Sequence, residues 1–183
     1  PNVSRKAFGV SPDREWHPLL AWSDEEKAMI KEFCEGLPKR KTVMLETFCG
    51  SGQSRWDDSM TSKTIDMCRE KWGACNFLFA SHKNTENFVN TEGYYSLAQF
   101  TPRQIALIID YCDLFVGISS GISVVTSCWG SKPVPKIQYC GSFTCSTQSL
   151  STGDFVLITS DNFNVNESQQ NFYNSLQSLI SRI

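Results

Sequence analysis

Short apolar runs alternate with helical patterns along most of the chain, and turn residues separate them. Compact apolar runs predict strands at residues 42–45, 76–80, 114–116, 134–137 and 155–158. Apolar residues that recur every three to four positions predict helices at residues 23–35, 58–72, 121–129 and 167–183, and another that opens at residue 102.

Capping residues support these helix boundaries. Ser23 and Glu26 have the spacing of a capping box, in which each side chain satisfies a free amide of the first turn. Gly36 and Gly73 stand where two of the helices are expected to stop. Thr101 is followed by proline at the first helical position, where the missing N–H costs nothing.

The order of the elements indicates the fold class. Strands alternate with helices, and parallel strands need a crossover to return to the same edge of a sheet. We therefore predict an α/β domain, a Rossmann-like three-layer α/β/α fold with a mostly parallel sheet. Residues 1–22 are expected to be an entry segment or linker, and residues 23–183 the domain.

Length and charge exclude two classes of partner. The chain has 183 residues, a length typical of one domain, and 17 Lys and Arg oppose 19 Asp and Glu for a formal net charge of −2. This balance disfavours sequence-independent binding to nucleic acid, which needs a basic face. The apolar runs are far shorter than the roughly 20 residues that span a bilayer, so no membrane span is expected.

Cysteine and histidine usage argues against a disulfide framework and against a metal site. The chain has 8 Cys, no CxxC motif and 2 His. A chain of this size with ordinary core residues does not need disulfides, so we expect buried reduced thiols and a cytoplasmic protein. A closed zinc site needs clustered Cys and His, so no metal is expected.

Two loops carry the candidate chemistry, residues 48–56 after the first predicted strand and residues 117–122 after the third. Sheets of this class bind ligands at the carboxyl ends of their strands, where helix N-termini present free amides and a positive dipole end. Both loops are rich in glycine and serine, which suits the close approach of a phosphate group to the backbone.

The first two interpretations of these loops are that the chain is a serine hydrolase or a methyltransferase. In both cases the motif of the enzyme class is incomplete in this chain. The segment GISSG, residues 117–121, matches a nucleophile elbow, but a serine hydrolase of that type needs a later His and none follows His82. The segment VMLETFCGSG resembles the first motif of S-adenosylmethionine-dependent methyltransferases, carried by Glu46, Gly50 and Gly52. The methyltransferase stays open as an alternative, and so does a non-enzymatic Rossmann-like interaction module.

A third interpretation takes both loops together. The segment YCDLFVGISSGISVVTSCWGSKPVPKI, residues 111–137, resembles the nucleotide-sugar-binding lobe of two-lobed (GT-B) glycosyltransferases, most closely the heptosyltransferase-like ones. Upstream, a glycine and serine loop followed by a basic residue and Trp matches the same family. The matching residues of the two loops are Gly50, Ser51, Gly52, Ser54, Arg55, Trp56, Ser119, Ser120 and Gly121.

The resemblance implies a site for a nucleotide diphosphate sugar, the donor substrate. Ser119 and Ser120 would offer hydroxyl donors, and Gly121 and Ile122 would offer amides at a helix start. The resemblance also implies that the upstream loop contacts the phosphates and that Arg55 gives them a charge-assisted hydrogen bond. His82 is a further candidate for contact with the base or ribose. No metal is obligatory, since amides and hydroxyls replace the cation.

The resemblance also implies what is missing. In these enzymes the catalytic base and the acceptor site lie in an N-terminal lobe, which precedes the segment matched here. We therefore expect this chain to be the donor-binding half of a glycosyltransferase, to need an N-terminal acceptor-binding lobe as partner, and to have little activity alone. The catalytic residues are not identified by the sequence.

Overall fold

The computed structural model describes residues 20–50, 56–81, 85–118, 120–126, 132–140, 155–159 and 165–183. The helices in these ranges are α1 (Asp24–Glu35), α2 (Asp58–Trp72), α3 (Pro102–Ile108), α4 (Gly121–Val125) and α5 (Val165–Arg182). The strands are β1 (Lys41–Glu46), β2 (Cys75–Phe79), β3 (Tyr94–Ser96), β4 (Leu114–Ile118), β5 (Lys136–Cys140) and β6 (Phe155–Thr159).

The six strands form one sheet in the order β3-β2-β1-β4-β5-β6, and every neighbouring pair is parallel. This is the order of dinucleotide-binding Rossmann folds, so the predicted fold class is confirmed. The chain moves outward from β1 to β3 and then returns to place β4 on the other side of β1. The strand order therefore reverses between β1 and β4, which is the switch point of the sheet.

Two apolar layers cover the sheet because strand side chains alternate between its faces. Val43 and Leu45 of β1 face the layer that includes Ile65 of α2 and Leu176 of α5. Met44 faces the other layer, which includes residues of α1 and α3. All three β1 side chains are completely buried.

Local signals placed the helix boundaries correctly. The capping box of Ser23 and Glu26 is present, and so is a second box in which Thr101 caps α3. Gly73 ends α2 with a φ of 74°, a left-handed conformation that glycine adopts without steric cost. These three boundaries agree with the sequence prediction.

Two predicted elements differ from the structure, and one strand of the structure was not predicted. The strand expected at residues 134–137 begins at Lys136, because Pro133 and Pro135 have no N–H to donate to a neighbouring strand. The strand β3 was not predicted, since its three residues are half-buried and form no apolar run. The helix expected at residues 121–129 is α4 as far as Val125, and residues 127–130 lie outside the described part of the chain.

Three features of the described residues bear on membrane insertion, metal binding and thiol chemistry. None of the helices there is both long and apolar enough to cross a membrane. The same residues contain no group of three His, Cys, Asp or Glu side chains placed to hold a metal ion. The six cysteines among them are free thiols, and four of these are buried, namely Cys68, Cys75, Cys112 and Cys140.

Candidate functional site

Both glycine loops leave the sheet at its switch point. Glu46, the last residue of β1, pairs in register with Gly117 of β4, one residue before that strand ends. The loop after β1 and the turn into α4 therefore start from adjacent strands at the same edge. In sheets of this order the ligand crevice lies outside the carboxyl ends of the strands at this point.

Four of the ten residues predicted to bind the donor lie in the described part of the chain: Gly50, Ser120, Gly121 and Ile122. The other six lie outside it, namely Ser51, Gly52, Ser54, Arg55, His82 and Ser119. Gly50 is exposed in a turn four residues after β1. The remaining three described residues form the start of α4.

The start of α4 is closed by a serine capping box. The Ser120 hydroxyl oxygen accepts hydrogen bonds from the amides of Ile122, at 3.1 Å, and Ser123, at 3.3 Å. The sequence analysis expected the amides of this turn to be free for a ligand. The amide of Ile122 is instead paired within the cap. A hydroxyl has two acceptor positions and one proton. Ser120 uses both acceptor positions in the cap, so its proton is left to donate.

The second serine of the cap is fully engaged. Ser123 Oγ accepts from the Ser120 amide at 3.1 Å and donates to the Ser120 carbonyl oxygen at 2.7 Å. It also accepts from Nε2 of Gln138, at 2.8 Å, and that nitrogen donates in turn to the Ile118 carbonyl, at 3.2 Å. Gln138 is completely buried in β5. Sequence analysis missed it, although one amide in a buried strand is a signal, since buried polar groups are normally hydrogen-bonded.

The two described glycines of the site have few close neighbours among the described residues. A Cβ built on Gly121 meets no atom of these residues within 4 Å, and one on Gly50 meets among them only the Phe48 ring, at 4.0 Å. Packing therefore does not require glycine at either position. A ligand could approach the backbone closely at both.

Glu46 is a buried acid at the switch point. Its side chain is 2% exposed, and its Oε1 accepts a hydrogen bond from the Phe48 amide at 3.1 Å. Burial raises the pKa of the Glu46 carboxyl to about 7, and the Phe48 amide opposes that rise in part. Gly117 gives this side chain room, because a Cβ there would lie 2.9 Å from the Glu46 Cβ.

The next residue carries a second buried polar group. Thr47 is 2% exposed, and its Oγ1 has no hydrogen-bond partner among the residues that the structure describes. A buried hydroxyl without a partner costs about 1–3 kcal/mol in proteins. Glu46 and Thr47 thus place two buried polar side chains where the first loop leaves the sheet.

Trp56, which the family pattern placed at the end of that loop, is a packing residue. Its indole Nε1 donates to Thr61 Oγ1 at 2.8 Å, and its side chain is 8% exposed. The ring meets Phe172 of α5 edge to face, with centroids 5.5 Å apart. The far end of the loop is therefore anchored between α2 and α5.

No family model matches this chain, and no curated protein matches it either.

Comparison of structure finds heptosyltransferases and a glycosyltransferase. An E. coli ADP-heptose lipopolysaccharide heptosyltransferase II matches with a TM-score of 0.69 and 18% identity, over 94% of this chain and 56% of that one. A glycosyl transferase family 9 protein of Veillonella parvula matches with a TM-score of 0.71 and 14% identity, over 100% and 59%. E. coli heptosyltransferase WaaC with ADP matches with a TM-score of 0.60 and 14% identity, over 99% and 54%.

These matches establish the fold of the chain. They cover nearly all of it, and the expected similarity to a heptosyltransferase-like lobe is confirmed at the level of structure. The chain spans less than two thirds of each of the three proteins, between 54% and 59% of their length.

Proposed function

We propose that this chain is the donor-binding half of a GT-B glycosyltransferase, which transfers a sugar from a nucleotide diphosphate donor to an acceptor. One observation carries the proposal: both glycine loops leave adjacent strands at the switch point, through Glu46 and Gly117. A ligand in that crevice touches both loops at once. The position suits a diphosphate, which is small, anionic and bound best by backbone amides and hydroxyls.

The described start of α4 supplies part of such a site. Ser120 retains a hydroxyl proton, and the space around Gly121 is open to a bound group. As the glycosidic bond breaks, negative charge accumulates on the departing diphosphate. Donors aimed at that charge stabilise the transition state more than the ground state, so the site would assist the reaction without an obligatory metal.

The remaining donor contacts are proposed for residues outside the described ranges. Arg55 would pair with a phosphate, and His82 would contact the ribose or base. Hydroxyls and amides of the two loops complete the set, from Ser51, Gly52, Ser54 and Ser119. Two structural neighbours are associated with an adenosine diphosphate, one as an ADP-heptose heptosyltransferase and one in a structure with ADP, which supports a nucleotide diphosphate as the ligand class.

The neighbours also support a two-lobed enzyme. Each is nearly twice the length of the part that matches this chain. We propose that a second, acceptor-binding lobe supplies the catalytic base, and that this chain alone binds donor with little turnover. The cytoplasm, where nucleotide sugars are made, is the compartment that fits the proposal.

Isothermal titration calorimetry with four ligands tests the proposed function. ADP, GDP, UDP and S-adenosylhomocysteine are titrated into the purified chain at pH 6. Binding of one or more nucleoside diphosphates is the expected result. Binding of S-adenosylhomocysteine alone would contradict the proposal and support a methyltransferase, and binding of no ligand would support an interaction module.

A substitution at Gly121 locates the site. Gly121→Val fills the open space at the start of α4 and is expected to abolish nucleotide binding while the fold persists. Glu70→Val is the matched control, since it also introduces a valine at an exposed helical position. Glu70 lies near the end of α2, at the opposite edge of the sheet. Equal affinity in the two variants would mean that the nucleotide binds elsewhere.

A further inference from the structure

The Glu46 carboxyl has no part in the function proposed above, although it lies at the switch point. Its Oε1 accepts from the amide of Phe48, which lies two residues beyond the end of β1. This bond directs the carboxyl toward the edge where the loops leave the sheet, and away from the centre of the core. The adjacent Thr47 hydroxyl, buried and without a partner among the described residues, lies at the same end.

The described residues that neighbour this acid are uncharged. Gly117 lies beside it on β4, and Ala80 follows the neighbouring strand β2. The first turn of α4 contains only serine, glycine and isoleucine, and α1 and α3 cover this face of the sheet with apolar side chains, among them Ile30, Ile105 and Ile108. Among the described residues, no charged group contributes to the pKa of Glu46, which burial raises to about 7.

The two protonation states of this carboxyl act in opposite directions on an anionic ligand. A neutral carboxyl has an O–H that donates a hydrogen bond, whereas a carboxylate only accepts. The oxygens of an esterified diphosphate also only accept. In a partly desolvated crevice the neutral acid attracts such an oxygen, and the carboxylate repels it.

We propose that the protonated Glu46 carboxyl donates a hydrogen bond to a diphosphate oxygen of the donor, and that donor binding therefore requires this proton. The proposal rests on the proposed function, because it needs a diphosphate in the crevice. It makes Glu46 a donor-binding residue and gives the site a pH dependence that amides and hydroxyls alone do not have. No proton is transferred: Glu46 keeps its proton in the complex.

The test measures donor affinity at two pH values. The probe is ADP-glucose, GDP-glucose or UDP-glucose, whichever matches the best nucleotide of the calorimetric series. These esters are used because a free terminal phosphate has a second pKa near 6 and would itself titrate. The dissociation constant of the wild-type chain is expected to rise about tenfold from pH 6 to pH 8, since the protonated fraction of an acid with a pKa of about 7 falls about tenfold.

Two variants separate Glu46 from other groups. Glu46→Gln keeps the shape and an N–H donor but cannot ionise, so its affinity is expected to be the same at both pH values. Asp110→Asn is the matched control. Burial raises the pKa of Asp110 as well, but this acid lies before β4, at the opposite edge of the sheet, and accepts from the Lys132 amide at 2.8 Å. That variant is expected to keep the wild-type pH dependence.

The outcomes distinguish this inference from the proposed function. A wild-type affinity that does not change with pH, or a pH dependence that survives in Glu46→Gln, would overturn the role of Glu46 and leave donor binding intact. Failure of every nucleotide sugar to bind at either pH would overturn the proposed function and this inference with it.

A measurement on the wild-type chain tests the role of Glu46 without a variant. Nuclear magnetic resonance of ¹³C-labelled glutamate side chains follows the Glu46 carboxyl as pH changes, with and without saturating nucleotide sugar. Binding that requires the proton raises the pKa of Glu46 in the complex. A pKa that stays the same or falls on binding would overturn the proposal.

Discussion

Gln138 Nε2 lies 2.8 Å from the hydroxyl oxygen of Ser123 and donates a hydrogen bond to it. The bond joins the buried strand β5 to the first turn of α4. Because the Ser123 hydroxyl is also part of the cap that closes α4, the sheet fixes the orientation of this cap. Ser120, which opens the cap, is thereby held at the carboxyl edge of the sheet.

Replacing Gln138 is expected to destabilise the chain. Gln138→Leu has a similar volume but no donor, so it leaves the Ile118 carbonyl and the Ser123 hydroxyl each without one hydrogen bond. Loss of a partner for buried polar groups costs about 1–3 kcal/mol. Urea denaturation measures the free energy of unfolding.

Gln170→Leu is the control for that experiment. Gln170 is exposed on α5, where its Nε2 donates to Asn174 at 2.9 Å, and such surface changes alter the free energy of unfolding by about 0.5 kcal/mol or less. Similar losses of unfolding free energy in Gln138→Leu and Gln170→Leu would contradict the structural role given to Gln138.

Two glycines at the switch point are expected to respond differently to alanine. A Cβ at Gly117 would lie 2.9 Å from the Glu46 Cβ and 3.0 Å from the Glu46 carbonyl oxygen. Since the backbone oxygen cannot move freely, Gly117→Ala should cost about 1–3 kcal/mol. Gly121→Ala meets no atom of the described part of the chain within 4 Å and should change stability by less than about 1 kcal/mol. Thermal unfolding measures the melting temperatures of the two variants. Equal melting temperatures would contradict the close approach of Gly117 to Glu46.

Asp113 joins β1 to β4 at the opposite edge of the sheet. One carboxylate oxygen accepts from Lys41 Nζ at 2.9 Å, and the other accepts from the buried Thr42 amide at 2.9 Å. Asp113→Ala leaves that amide unpaired and should cost about 1–3 kcal/mol. Lys41→Met removes only a partly exposed ion pair and should cost less than about 1 kcal/mol. Urea denaturation measures the free energy of unfolding of both variants. An equal loss of that free energy in the two would show that the ion pair, and not the amide, is the important contact.

Local signals were enough to predict most of the fold. A capping box such as that of Ser23 and Glu26, or a helix stop such as Gly73, depends on residues a few positions apart, so the sequence alone reveals it. The start of β5 and the existence of β3 depend on neighbouring strands. Pro135 still accepts from the Phe115 amide at 2.9 Å, which no pattern within residues 134–137 indicates.

The shared edge of the two loops was predicted from the sequence, but the hydrogen bonds around them were not. Strand order places both glycine loops at one edge, and sequence analysis reached that conclusion. The bond from Gln138 to Ser123 joins residues 15 positions apart and appears only once β5 lies beside β4. The high pKa of Glu46 likewise requires burial beside Gly117, which no local pattern reveals.

Glu46 is also expected to make the stability of the chain depend on pH. Its pKa is about 7 in the folded chain against 4.5 for a free glutamate, so between these values the folded state binds more protons than the unfolded state. The free energy of unfolding therefore falls as pH rises from about 4.5 to about 7, and Glu46 causes no further change above that range. The difference of about 2.5 pKa units corresponds to about 3 kcal/mol.

Glu46→Gln isolates this contribution from every other titrating group. The variant and the wild-type chain should be about equally stable near pH 5, where the buried carboxyl is neutral. At pH 8 the variant should be more stable by up to about 3 kcal/mol, because the wild-type chain then keeps a charge buried with no cation beside it among the described residues. Urea denaturation of both chains at the two pH values measures the difference. A stability difference that is the same at pH 5 and pH 8 would mean that Glu46 ionises in the folded chain as it does in water.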